Sequence, residues 1–250
     1  MTWNHVMGLI ATVAMSLPIL VLLVTRLASH RIFPALVLYY FTAVIHNMMG
    51  LGYIQAKEDY IRFFGIANNL LDAPLMLTFL TYFANSQLMK NRMRILTIGF
   101  VAFEILVLSI WGFSRESITI ILGPGIALVL SFSIPFFVRH TKMTITHHKA
   151  MGKSLMLASL IFAYGCYTII YVMHYLLNSK NIADTFLVYY FVSTFSSILM
   201  AAGVFVERKR IKKFSELKIV RRELSQIYSN EKTAAPLRPA VFDFDKDQWN

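Results

Sequence analysis

ILTIGFVAFEILVLSIWGF, residues 95–113, decides the fold. The run carries one charge, Glu104, and is bracketed by Lys90, Arg92 and Arg94 on one side and Arg115 on the other. A hydrocarbon core about 30 Å thick takes roughly 20 mostly apolar residues as α-helix, so a run of this length and composition predicts a membrane span. Met7–Ala28, Ile32–Ile54, Ile61–Ser86, Ile118–Val138, Ser154–Leu177 and Ile182–Val206 repeat the pattern. The third is the least apolar, interrupted by Asn68, Asn69 and Asp72. Buried helices of a water-soluble protein need polar outer faces. With 57% hydrophobic and 15% charged residues, too few polar side chains remain to make them. The expected fold is all-α, an integral membrane bundle of seven transmembrane helices.

The basic residues between the runs set the orientation. Arg26 and Arg31, Lys90, Arg92 and Arg94, Arg139, Lys142, Lys149 and Lys153, and the stretch after Glu207 together hold 20 of the 24 Lys and Arg residues. Only Lys57, Arg62, Arg115 and Lys180 fall on the other side. Positively charged loops stay in the cytoplasm, so the N-terminus is expected outside and the C-terminus inside. The net charge of +11 is largely this asymmetry, and nucleic acid is not expected as a partner. The basic stretch 208–213 instead suits anionic lipid, at about 1 kcal/mol per basic residue near the surface. Met1–Val6 has no basic leader and no small-residue cleavage pattern follows, so the first run reads as a retained helix. The single cysteine, Cys166, lies within the sixth run and excludes a disulfide framework or a thiol metal site.

Three segments follow: a transmembrane domain over 1–206, a basic amphipathic helix over 207–232 and a disordered tail over 233–250. In the second, Ile211, Phe214, Leu217, Val220, Leu224 and Ile227 recur at helical spacing among charged residues. It is suited to lie on the cytoplasmic leaflet or to pair with another helix. The tail alternates aromatic and acidic residues around Phe242 and Phe244, a composition that orders only against a partner. Phe214, Leu217, Leu224, Phe242 and Phe244 are therefore the candidate partner-binding residues. The stretch Arg139–Lys153, with His147 and His148, reads as a cytoplasmic loop.

Ionisable side chains inside spans are costly, and each is a site hypothesis. They are His46, Asp72, Glu104 and His174, with Asn47, Asn68 and Asn69 as uncharged company. At 1.5 Å per residue, Asp72 lies about 16 Å from the outer end of its helix and His46 about 12 Å from the outer end of its own. Those depths allow a His46–Asp72 pair. Two uses are open: an outward-opening polar pocket of His46, Asn47, Asn69 and Asp72, or an interhelical hydrogen-bond network that fixes packing.

Asp72-Ala73-Pro74-Leu75-Met76-Leu77 in the third run resembles the Thr-Thr-Pro-Leu-Leu-Leu type of segment found in the third helix of microbial rhodopsins. A second, ungapped match runs from Phe162-Ala163-Tyr164 past Asn181-Ile182 to Phe191-Val192-Ser193-Thr194. The resemblance covers three helices by sequence and seven by topology. It implies a rhodopsin-like scaffold. On this match the retinal-linking lysine falls at Phe195, the seventh-helix carboxylate at Phe191 and the third-helix counterion at Asn68. A Schiff base needs an amine, and no run contains a lysine. The expectation is a retinal-free scaffold filled by aromatics such as Tyr164, Tyr167, Phe191 and Phe195, packed on each other or on an apolar ligand.

No convergent catalytic set is visible, so no catalytic residue, metal site or cofactor is expected. The leading reading is a non-enzymatic receptor-like or accessory subunit, signalling or assembling through its cytoplasmic tail. Its expected surroundings are a bacterial inner membrane and a cytoplasmic or membrane protein partner, with the oligomeric state open. A second reading is a zinc-dependent lipid hydrolase: Thr42, His46 and Asp72 resemble part of the site of seven-helix ceramidase- and receptor-like hydrolases. The seventh run lacks the paired histidines that such a site needs. A third is haem held by His46 and His174.

Overall fold

The computed structural model describes residues 3–30, 32–147, 150–173 and 182–230. Every regular element in them is helical: α1 (Trp3–Val24), α2 (Phe33–Gly50), α3 (Glu58–Leu80), a 3-10 turn (Thr81–Phe83), α4 (Gln87–Trp111), α5 (Arg115–His147), α6 (Met151–Tyr171) and α7 (Ile182–Asn230). Two compact units result, residues 1–208 and 209–250. Six segments are long and apolar enough to cross a membrane: α1, α3 with its 3-10 extension, α4, most of α5, α6, and Leu187–Lys213 of α7. The chain is thus an all-helical protein built for a lipid bilayer. α2, with 18 residues that include Tyr39, Tyr40, His46 and Asn47, is not among those six.

Local chemistry sets the helix ends. Ser86 accepts the Met89 N–H at 3.2 Å and caps the start of α4. Gly112, at a φ of 65°, ends that helix in a conformation that side chains with a Cβ rarely adopt. Pro34 stands in the first turn of α2, where a missing N–H costs nothing. Within α5, Gly123 and Pro124 sit where the Tyr171 hydroxyl of α6 donates to the Thr119 carbonyl at 2.8 Å. The stretch expected as a loop after Val138 is helical: α5 continues to His147, because residues 139–147 contain no Gly or Pro to stop it.

In the first unit each helix packs on its sequence neighbour, and α3 also reaches α5. α7 closes on both sides, with Ser159 of α6 bonded to it and Gly8 of α1 facing its Tyr190. The backbones of α6 and α7 approach closely where they cross. A Cβ built on Gly203 would lie 2.7 Å from Met156 Cγ and 2.8 Å from its backbone nitrogen. One on Gly152 would lie 2.7 Å from the Gly203 carbonyl oxygen. Small residues let membrane helices approach in this way, since packing rather than water release holds them together. At one end of the unit, Phe33, Phe79, Leu80 and Phe83 are almost wholly buried. Ile95, Ile98, Ile105 and Ile110 face outward along α4, as a lipid-contacting surface requires.

Gly203→Leu should therefore lower stability by about 1–3 kcal/mol through overpacking, read as an earlier unfolding midpoint in a detergent titration. Gly99→Leu, at a position with open space around it, should leave the midpoint unchanged.

Candidate functional site

Asp72 sits in the interior half-turn of α3 before Pro74, and the Tyr164 hydroxyl of α6 donates to its Oδ1 at 2.6 Å. Tyr164 is 1% exposed. Its ring packs edge-on against Tyr167, with centroids 5.9 Å apart, and Tyr167 stacks on Tyr189 at 6.0 Å. The Tyr167 and Ser193 hydroxyls are 3.2 Å apart. Ser159 donates to the Ser196 carbonyl at 2.7 Å, and Ser196 to the Ser193 carbonyl at 3.2 Å. Tyr39 and Tyr40 of α2 complete this layer of phenols and hydroxyls from α2, α6 and α7.

The layer surrounds a cavity of about 20 Å³. One water needs roughly 10–15 Å³ on that measure, while drug-sized ligands occupy pockets of about 300–1,000 Å³. The space suits a single hydrogen-bonded water. A polyene or a haem would need the layer to repack.

The sequence candidates divide sharply around this layer. Asp72 and Tyr164 meet in it. The expected His46–Asp72 pair does not form. His46 instead stacks on Phe64, centroids 6.4 Å apart, and its Nε2 lies 2.8 Å from where a Cβ on Gly65 would be. That glycine opens a slot the imidazole fills. Asn47 turns the other way, donating to Thr12 Oγ1 of α1 at 3.3 Å, so the expected pocket of His46, Asn47, Asn69 and Asp72 is not assembled. Asn69 is half-buried. Asn68 Oδ1 and Glu104 Oε1 are buried with no hydrogen-bond partner among the described residues.

Phe191 and Phe195, expected inside, face outward at 58% and 45% exposure. The inner face of α7 belongs to Ser193, Ser196, Ser197 and Met200, whose spacing of three and four residues leaves 191 and 195 on the opposite side. Phe195 packs on Phe162 at 5.0 Å instead. In the second unit, Leu217 and Leu224 are exposed. Phe214 lies in α7. Its side chain, together with His174, Phe242 and Phe244, lies outside the described residues.

The serines of α7 are a readable signal in the sequence, since small polar residues at helical spacing in an apolar run mark an interior stripe. Two further polar residues stand just past the expected span ends. His140 and Glu207 are both buried, and Glu207 Oε1 accepts the Tyr82 hydroxyl at 3.0 Å.

The proposed zinc set is dispersed: Thr42 donates back to the Tyr39 carbonyl at 3.0 Å, His46 lies on Phe64 and Asp72 is bound by Tyr164. Among the described residues no group of three or more His, Cys, Asp and Glu side chains is arranged to hold a metal ion. What the Asp72 layer can do chemically is hold a water and relay hydrogen bonds between helices. No protein family, characterised protein or solved structure matches the chain.

Removing a partner from a buried acceptor costs about 1–3 kcal/mol, more for a charged one, whereas interhelical bonds in membranes average about 0.6 kcal/mol. Tyr164→Phe should accordingly destabilise the protein more than Ser159→Ala. Unfolding titrations of the two variants check the order.

Proposed function

We propose that the chain is a non-enzymatic, receptor-like or accessory subunit with seven membrane spans and a rhodopsin-like scaffold without retinal. In this reading it lies in a bacterial inner membrane with its N-terminus outside, and acts on a cytoplasmic or membrane protein partner through its C-terminal segment. The observation that carries it is the composition of α7 (Ile182–Asn230). The same helix supplies Ser193, Ser196 and Ser197 to the cavity and contains the charged amphipathic stretch from Lys209 onward. A change in hydration or bonding at the serines is therefore applied to the element that carries the partner-facing residues.

The use of polar groups supports the same reading. Asp72 joins α3 to α6, Asn47 joins α2 to α1, and Ser159 joins α6 to α7. Such joints give a bundle discrete arrangements that a ligand or partner can bias. A seventh span is supported by α2, which packs against both α1 and α3 and whose 18 residues make about 27 Å of helix. The strong bias of Lys and Arg to one set of connections supports the orientation.

Two experiments separate the parts of this proposal. In a Cys166→Ser background, Ser29→Cys should react with an impermeant maleimide only after the membrane is opened, and Gln55→Cys from outside intact cells. Labelling of both from one side contradicts the span at α2. Deleting residues 233–250 should abolish capture of the partner from the native membrane and leave insertion intact; undiminished capture contradicts the role of the tail.

A further inference from the structure

Among the described residues the exposed Trp and Tyr side chains are Trp3, Tyr53, Tyr60 and Trp111. All of them stand at one end of the bundle. Trp3 opens α1, Tyr53 follows the end of α2, Tyr60 lies in the first turn of α3 and Trp111 closes α4. Contacts hold these ends at one level. The Tyr53 hydroxyl and His5 Nε2 of α1 are 3.5 Å apart, and a Cβ on Gly8 of α1 would lie 2.7 Å from Leu51 Cδ2. His46 of α2 stacks on Phe64 of α3. Phe63 of α3 packs on Phe113, just past α4, with centroids 5.4 Å apart. The Tyr53 N–H donates to the Met48 carbonyl at 3.0 Å, which folds the chain back over the end of α2.

The far ends of the same helices agree. A hydrocarbon core takes about 20 helical residues, and about that distance in sequence from the four aromatics stand Leu23, Phe33, Leu80 and Asn91. The Phe33 ring packs on those of Phe79 and Tyr82, with centroids 6.1 and 5.2 Å apart, so α2 and α3 reach that level together. In the sequence, Arg26, Arg31, Lys90, Arg92 and Arg94 follow or precede Leu23, Phe33 and Asn91 closely. Between the two levels the exposed side chains include Ile10, Val13 and Leu20 on α1 and Ile95, Ile98 and Ile105 on α4.

Trp and Tyr combine an apolar ring with one polar tip, and they collect where a bilayer changes from acyl chain to headgroup. In water the rings would leave apolar area uncovered. In the bilayer centre the indole N–H and phenol O–H would lack acceptors. At the boundary the ring lies in hydrocarbon and the tip donates to lipid ester carbonyls. We propose that Trp3, Tyr53, Tyr60 and Trp111 form an aromatic belt that docks on the headgroup boundary of the leaflet at the N-terminal end. A protein partner fits less well, because the four side chains come from the ends of four successive helices at one level, not from one helix face. The belt deepens the membrane reading, and it rests on the seven-span proposal at Tyr53 alone.

The test is tryptophan fluorescence of the full chain in phosphatidylcholine vesicles. The acyl chains carry bromines either close to the ester groups or near the chain ends, and bromine quenches only on contact. Trp249→Phe leaves Trp3 and Trp111 as the emitters, and their emission should fall further with bromines close to the ester groups. Adding Trp3→Phe and Trp111→Phe makes a background for single tryptophans. There Tyr53→Trp and Tyr60→Trp should repeat that order, and Ile98→Trp, in the exposed middle of α4, should reverse it. Stronger quenching of Trp3 and Trp111 from the chain ends overturns the proposal. Quenching by neither lipid also overturns it, and assigns the aromatics to water or to a protein partner. Shallow quenching at the other three positions with none at Tyr53→Trp overturns the part of α2 in the belt. The maleimide reaction at Gln55→Cys tests the span of α2 separately, because it reads sidedness and not depth.

Discussion

The hydrogen bond from Tyr164 to Asp72 is the constraint around which the first unit is organised. A carboxyl group inside a bilayer-spanning helix finds no bulk water, so the bundle must supply its partner. Here the partner comes from α6, at 2.6 Å, across the interior from α3. Placing that phenol brings Tyr167 beside Tyr189 and Ser193, and the small serines of α7 leave room for a water where bulkier residues would close the layer. Close helix approach then follows at the other end of the same interface. Gly152 and Gly203 let the backbones of α6 and α7 meet, next to Glu207, which in turn receives the Tyr82 hydroxyl.

Much of this architecture was legible in the sequence. Residues 95–113 and five of the comparable runs recur as helices long and apolar enough to cross a membrane, because length and hydropathy are sufficient for that inference. The polar interruption of the third run also reappears, as the least apolar of the six helices suited to spanning. Helix ends were harder to read. Hydropathy marks where apolar character stops, not where helix stops, and α5 carries on through Arg139 and His140 as far as His147. Hydropathy hides Glu207 and His140 for the same reason, since both lie just beyond the apolar limits yet are buried in the bundle.

The candidate site was legible in kind rather than in pairing. Asp72 stands out because it is charged, but depth along a helix does not give rotation about the helix axis. His46 and Asn47 are adjacent, so they point about 100° apart on a helix with 3.6 residues per turn. One meets Phe64 and the other Thr12, and neither meets Asp72. Phe191 and Phe195 lie on the wrong side of α7 for the same geometric reason, with the serine stripe taking the interior. Tyrosines inside an apolar run look like ordinary bulk in a sequence. Only the fold brings Tyr39, Tyr40, Tyr164 and Tyr167 into one layer.

The most direct measurement of this account is the coupling energy between Asp72 and Tyr164, from a double-mutant cycle of Asp72→Asn and Tyr164→Phe by unfolding from lipid-containing micelles. If the bond organises the bundle, the two substitutions are non-additive, with a coupling of about 1 kcal/mol or more, toward the upper end for interhelical bonds in membranes. Additive effects within about 0.3 kcal/mol, the level expected of independent sites, would contradict it.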